Sequence, residues 1–232
     1  MNLQPLKHSL WCTALLALAA ASAPSAAERP ANAELLFVMP AKGFFAIEDL
    51  KRPLDPERLD AVLLSAALFH ETNEHRRLYS KPRLARSVPL ERAALAHAES
   101  MVRHGFFAHE NPKEPELATL QKRVKHAGLG EPGFLAENIA TQFGLHYRAG
   151  TPVFRVERDG QRGFSTSADG PLIPRHSYRS FAAAVLEDWM DSPEHRDNIN
   201  SDRAEALGAG CAANRDEGGI PVLTCVQVFA AP

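Results

Sequence analysis

The sequence is notable for what it lacks: it has only three cysteines, no basic block, no internal repeat and no second long apolar run. Its 26 Lys and Arg residues are nearly balanced by 28 Asp and Glu residues, which argues against nucleic acid as a partner. The one long apolar run, residues 10–23, is too short and too rich in alanine for a membrane span. What remains is the composition of an ordinary globular protein, with 45% hydrophobic residues.

Residues 1–27 have the layout of a secretory signal peptide. A basic pair at residues 7–8 precedes the apolar run, and residues 25–27 (Ser-Ala-Ala) supply a cleavage site of small residues. Cys12 lacks the small-residue context of a lipoprotein acceptor. We therefore expect a secreted or periplasmic protein whose mature chain begins near Glu28 and has no transmembrane anchor.

Export would leave two cysteines, Cys211 and Cys225. They flank the turn-forming residues 216–219, and a hairpin centred on Gly218 would set one cysteine directly opposite the other. Cysteines of exported proteins usually pair. The sequence predicts a Cys211–Cys225 disulfide, and the alternative is a pair of small buried thiols.

The hydrophobic pattern places helices first and strands last. Residues 28–57, which contain four prolines, are expected to form an N-terminal extension that packs across a domain of residues 58–232. Helices are predicted at about 57–79, 89–104 and 117–127, followed by a helix pair around Trp189 and by strands at 206–213 and 220–229. This order predicts an α+β fold with a mainly antiparallel sheet.

Three polar residues stand among apolar neighbours: His109, Glu137 and His195. Two histidines and a carboxylate could bind zinc or act as general acid and base, although no short metal-ligand spacing joins them. Ser192 and Pro193 predict a helix start, with Ser192 as the N-cap. His195 then falls in the first helical turn, whose positive end favours neutral imidazole. The alternative is that His195 is a surface residue.

Four sequence motifs occur in the order found in one known family. The chain resembles the CAP superfamily (cysteine-rich secretory proteins, antigen 5 and pathogenesis-related protein 1), and it is most similar to the bacterial secreted branch. The motifs are Gly-Phe-Phe-Ala-His at 105–109, Ala-Glu-Asn-Ile-Ala at 136–140, Trp-Met-x-Ser-Pro-x-His-Arg-x-Asn-Ile at 189–199, and a terminal Gly-x-Gly followed by Val-Gln-Val-Phe. The resemblance implies an α-β-α sandwich.

The resemblance also implies a cleft in which two histidines and two acids hold a divalent ion, often zinc. Carried over by motif, the metal ligands are His109, His195 and Glu137, which would also be the catalytic residues if the protein is an enzyme. The position of the second acid is Ser192 here, so the full tetrad is absent. The expected cofactor is thus Zn²⁺ or another divalent cation, held by an incomplete site.

Residues 145–178 form a longer connection than the family resemblance leads us to expect, and we interpret them as an insertion. Apolar segments flank Asp159-Gly160, which is typical of a hairpin. The insertion could cover the cleft and bring His146 or His176 near it. The alternative is a surface hairpin without a role.

Fold alone does not give function, and three hypotheses follow. The first is a secreted protein whose cleft binds a divalent metal and a small molecule, lipid or cell-envelope component. The second is a metal-assisted hydrolase, peptidase-like, in which Glu137 activates a water. The third is a non-catalytic structural protein of the envelope. Because Ser192 replaces an acid, we favour binding over catalysis.

Overall fold

A four-stranded sheet lies at the centre of residues 33–232, the part of the chain that this computed structural model describes. The spatial order of the strands is β1-β5-β6-β2, and only β1 runs parallel to its neighbour. The strands are β1 (Ala85–Arg86), β2 (Phe134–Phe143), β5 (Ala206–Arg215) and β6 (Pro221–Ala231). The predicted signal peptide lies outside the described residues.

Helices cover both faces of the sheet. They are α1 (Ala33–Val38), α2 (Ala41–Phe44), α3 (Ala61–Leu78), α4 (Val88–His104), α5 (Leu120–His126), α6 (Tyr178–Asp191) and α7 (Pro193–Ile199). One hydrophobic core joins α3 and α6 to the sheet, and a second joins α4 and α5 to its other face. The predicted α-β-α sandwich with a mainly antiparallel sheet is confirmed.

Helix α4 lies directly on the backbone of the sheet at two glycines. A Cβ added at Gly208 would lie 2.2 Å from the backbone nitrogen of Glu91, and one at Gly210 would lie 2.6 Å from the Cα of Leu95. No side chain fits in either gap. The close contact between this alanine-rich helix and the sheet therefore requires the glycines of β5.

The start of α3 differs from the prediction. Asp55 caps only a single 3₁₀ turn, Pro56–Arg58, whereas the Asp60 side chain accepts a hydrogen bond from Leu63 N and begins the long helix. Both acids precede helical residues, so composition alone could not choose between them. Helix α5 is likewise shorter than predicted, because Leu117 ends a separate 3₁₀ turn and the Thr119 side chain caps the helix by accepting from Lys122 N.

The described part of the N-terminal extension packs into the core beside α3. Its buried side chains are Phe37, Phe44, Leu50 and Leu54. The buried His70 ring of α3 stacks on Phe44, with 4.1 Å between centroids, and its Nε2–H donates to Leu36 O at 2.7 Å. This contact ties the extension to the helix. The domain boundaries proposed from the sequence stay predictions.

Strands β5 and β6 form the predicted hairpin. Cys211 lies directly opposite Cys225, with Cα atoms 4.1 Å apart, and the two are joined by a disulfide. The turn closes where Gly219 N donates to Asp216 O. The disulfide prediction is confirmed. Strand β2 had not been identified as a strand, because its Glu137-Asn138 pair interrupts the apolar pattern.

The insertion contains the predicted hairpin, formed by β3 (Phe154–Arg158) and β4 (Gln161–Ser165). Asp159 and Gly160 both have positive φ, 51° and 74°, as a tight two-residue turn requires. The insertion leaves and rejoins the domain at a bridge between Leu145 and Arg175. Within residues 33–232, no helix is both long and apolar enough to cross a membrane.

Candidate functional site

The edge strand β2 positions the centre of the site. Glu137 and Asn138 are consecutive, so their side chains point to opposite faces of the sheet. Glu137 faces α5, and Asn138 is bonded to α7. Both residues are buried, with Asn138 fully so. The strand therefore links the two sides of the site through adjacent residues.

The Glu137 carboxylate is paired with Arg123 of α5. Arg123 Nη2 donates to Glu137 Oε2 at 2.7 Å, and the two side chains are only 2% and 3% exposed. The sequence-based set of site residues omitted Arg123. A signal was present, since Arg123 lies on the helical stripe of Leu120, Val124 and Ala127, and a buried arginine requires hydrogen-bond acceptors, among which a carboxylate is the strongest.

His109 contacts the other oxygen of the same carboxylate. It lies in the loop after α4, and its Nδ1–H donates to Glu137 Oε1 at 2.9 Å. This hydrogen bond raises the pKa of the His109 imidazole, and burial only partly opposes it. The His109 side chain is 55% exposed, so its Nε2 edge can meet a ligand. Arg123, Glu137 and His109 thus form a chain of charges that begins in the core and ends at the surface.

His195 lies in the first turn of α7, as predicted. Burial lowers the pKa of its imidazole, and the nearby charge of His109 lowers it further. The expected neutral form is therefore favoured, and its causes are burial and the charge of His109. Ser192 occupies the N-cap position, but its side chain makes no capping hydrogen bond. The prediction that the Ser192 side chain caps α7 is therefore wrong. The Ser192 backbone carbonyl accepts a hydrogen bond from Arg196 N instead.

Helix α7 is held at both ends. Asn138 Nδ2 donates to His195 O at 3.1 Å, and Asn198 Nδ2 donates to Asn138 Oδ1 at 2.9 Å. At the far end, the buried Arg76 donates through Nη1 to Ile199 O at 2.7 Å. These bonds fix the backbone that carries His195 relative to β2.

The histidines outside this set have other contacts. His97 is buried in the core, and its Nε2–H donates to Ala108 O at 3.0 Å. The rings of His146 and His176 are in contact at the base of the insertion, with 3.8 Å between centroids and a tilt of 37° between their planes. Leu145 follows Glu137 by eight residues of largely extended chain, roughly 25 Å. The insertion therefore adjoins the opposite end of β2, and the idea of a cover over the site gains no support.

The arrangement does not fit a metal ion as it stands. Both oxygens of Glu137 are already bonded, one to Arg123 and one to His109, so Glu137 orients a histidine instead of offering a free ligand. That leaves two imidazoles, fewer than the three protein ligands usual for zinc. In the described part of the chain, no group of three or more His, Cys, Asp or Glu side chains is placed to hold a metal. The zinc expectation stays a prediction.

A cavity among the described residues lies elsewhere. Its volume is about 1100 Å³, and none of His109, Glu137 and His195 lines it. The three residues instead form an open site on the surface beside the edge strand, which we call the histidine site.

One of the solved structures that the chain resembles shows the same architecture, and two others match less well. An extracellular SCP-domain protein from Bacillus anthracis matches with a TM-score of 0.52, 22% identity and 78% of this chain covered. A cysteine-rich secretory protein from Staphylococcus aureus has a TM-score of 0.43 at 13% identity over 75% of this chain. The CAP domain of enterococcal PrgA has a TM-score of 0.45 at 15% identity over 82% of this chain and 72% of its own.

The chain spans 45% of the Bacillus protein and 40% of the Staphylococcus protein. No curated protein matches it significantly in sequence. The sequence model of the cysteine-rich secretory protein (CAP) family, in contrast, matches residues 69–229. That segment contains α4 to α7, the sheet except for the last two residues of β6, and all three residues of the histidine site. The chain therefore belongs to the CAP family.

Proposed function

We propose that this protein is a secreted CAP-domain binding protein, and that its histidine site holds a small polar ligand or a polar group of a cell-envelope component. The signal-peptide pattern supports export, and structural neighbours described as extracellular fit that location. Binding is favoured over catalysis because nothing in the site identifies a nucleophile or a free carboxylate base.

The observation that carries this proposal is the chain Arg123–Glu137–His109. One buried carboxylate serves two cationic partners, so the site has a net excess of positive charge when His109 is protonated. Such a site attracts a carboxylate, a phosphate or another strong acceptor of hydrogen bonds, and it repels a divalent cation. Glu137 also fixes the orientation of the His109 ring before a ligand arrives, which lowers the entropic cost of binding.

His195 complements His109. As a neutral imidazole it accepts a hydrogen bond from a hydroxyl or amine, whereas the His109 imidazolium donates one. The ligand class that matches both is a molecule with an acidic or carbonyl group beside a hydroxyl group. Acidic sugars of the cell envelope have this chemistry.

Zinc titration separates this proposal from the metal-site hypothesis. Isothermal titration calorimetry would compare the parent with H109A/H195A and with H104A/H126A, a control in which two exposed histidines outside the site are changed. The proposal predicts no stoichiometric zinc binding that depends on His109 and His195. A one-to-one zinc site lost only in H109A/H195A, with the fold intact by circular dichroism, would overturn it.

The zinc titration also tests the hydrolase hypothesis, because that hypothesis requires a bound metal ion. A metal-assisted peptidase predicts chelator-sensitive cleavage of a peptide library, and that cleavage should vanish in E137Q.

To identify the ligand itself, native mass spectrometry of the exported protein would compare masses retained by the parent with those retained by H109Q/H195Q. A structural envelope protein would retain nothing at this site in either form.

A further inference from the structure

The insertion encloses a second candidate site, which we call the insertion cavity. It lies between the β3–β4 hairpin, the segment at 172–175, and the β5–β6 turn, and its volume is about 1100 Å³. A cavity of this size accommodates a ligand of a few hundred daltons. It depends on residues 145–178, which we interpret as an insertion, and it lies apart from the histidine site.

The wall of the insertion cavity is apolar. It is formed by the side chains of Leu145, Val156, Phe164, Leu172 and Ile173, with Pro53 and Pro221 beside them. Leu145 is 4% exposed, and the other four are half-buried. Partial exposure of several apolar side chains in one concave surface favours an apolar ligand that removes them from water.

Four guanidinium groups surround this apolar wall, whereas Glu157 is the only acid among the lining residues. Arg155 donates through Nε and Nη2 to the backbone oxygen of Gly218, at 3.2 Å and 2.6 Å. Arg162 pairs with Glu157 at 3.2 Å, Arg175 lies 4.0 Å from Asp55, and Arg215 pairs with Glu57 at 2.6 Å.

These arginines are available to an incoming anion. The side chains of Arg162, Arg175 and Arg215 are 90%, 49% and 49% exposed. Exposed ion pairs are weak, so a ligand can replace their partners at small cost. Guanidinium groups also bind carboxylate and phosphate through two parallel hydrogen bonds. The cavity therefore combines an apolar wall with anion-binding groups at its edge.

We propose that the insertion cavity binds an anionic amphiphile, a molecule whose apolar chain packs on the hairpin wall and whose carboxylate or phosphate pairs with the arginines. This site is independent of the histidine site and of the function proposed there. It gives the insertion a role that the rest of the CAP fold does not supply.

Calorimetry with simple probes tests the ligand class. Decanoate and decyl phosphate present the chain with each anionic group, decanol presents the chain alone, and acetate and inorganic phosphate present the anions alone. We expect one-to-one binding of decanoate or decyl phosphate, at least about tenfold tighter than decanol or either free anion, because chain and charge act together. Comparable binding of decanol, or of inorganic phosphate alone, would overturn the proposal, as would no binding of either amphiphile.

Variants locate the site. R155Q/R175Q should weaken decanoate or decyl phosphate at least about tenfold, whereas R155K/R175K, which keeps both charges but loses the paired hydrogen bonds, should weaken them less than the glutamine variant does. R148Q removes a charge from the insertion outside the cavity lining and should leave affinity unchanged. Should R155Q/R175Q fail to fold, the lysine variant and the probe series on the parent decide the question.

The histidine-site variant H109Q/H195Q separates this proposal from the one above. It should bind the amphiphiles as the parent does. Loss of amphiphile binding in H109Q/H195Q, with affinity unchanged in R155Q/R175Q, would assign the ligand to the histidine site and refute the insertion cavity. Failure of the polar-ligand proposal would leave the expected results at the insertion cavity unaltered.

Discussion

Replacing Arg123 by methionine tests whether the buried ion pair organises the histidine site. The change removes a guanidinium that is 2% exposed and leaves the Glu137 carboxylate, 3% exposed, without its cationic partner in the core. Breaking a buried pair in this way costs about 3–5 kcal/mol. The bond from Arg123 Nη1 to Leu117 O, at 3.3 Å, is lost as well, for about 1 kcal/mol.

The magnitude is large enough to measure by urea unfolding. With a slope of about 2 kcal/mol/M, a loss of 4 kcal/mol lowers the unfolding midpoint by about 2 M. The matched control is R92M, since Arg92 also donates to the α5 end, at Ala127 O, but from an exposed position. We expect R92M to cost less than about 1 kcal/mol.

A double variant separates the stranded charge from lost packing. No unpaired carboxylate remains in R123M/E137Q. The free energy of unfolding of this double variant should therefore be at least about 1 kcal/mol higher than that of R123M. If R123M destabilises the protein no more than R92M does, or if the double variant is the less stable of the two, the pair does not hold the site together.

Three further predictions concern protonation and packing. E137Q should lower the pKa of the His109 imidazole, since it replaces the charged acceptor of its Nδ1–H; titration of the His109 Cε1–H resonance by NMR measures this, and an unchanged pKa would contradict the assigned hydrogen bond. The pKa of His176 is lowered to about 4 by burial and by the adjacent His146, so the unfolded chain binds the extra proton between pH 6.5 and 4. The contribution of His176 to the free energy of unfolding is therefore complete above pH 6.5 and declines by at most about 3 kcal/mol as the pH falls towards 4. H176Q should flatten this decline, which urea unfolding midpoints measured across the same pH range would show. G210A should destabilise by about 1–3 kcal/mol because its Cβ meets α4 at 2.6 Å, whereas G130A, with open space around its Cβ, is the control; equal midpoints would refute the close contact.

Several features followed from short stretches of sequence because their physical causes are local. Gly105 ends α4 with a φ of 66°, as a left-handed helix end favours glycine. Asp159-Gly160 gave the insertion hairpin for the same conformational reason. The disulfide could be predicted because positions at equal distance from one hairpin turn lie directly opposite each other on the two strands. The family motifs added His109, Glu137 and His195 as candidates, but not their arrangement.

The remaining features depend on contacts between segments that no local pattern connects. Arg123 lies 14 residues from Glu137 on a different element, and only the packing of α5 against β2 brings the two together. The contact between the His146 and His176 rings likewise required the two ends of the insertion to meet.

The sequence by itself determined the end of α4, the two hairpin turns, the disulfide and which residue types could serve a site, because backbone preferences and strand periodicity act over a few residues. The tertiary structure alone decided what those residues do. It showed that Glu137 is shared by Arg123 and His109, and that the insertion encloses a cavity of its own. The partner of a buried charge is decided by which segments pack against it, so the role of that charge is fixed by packing and not by its neighbours in the chain.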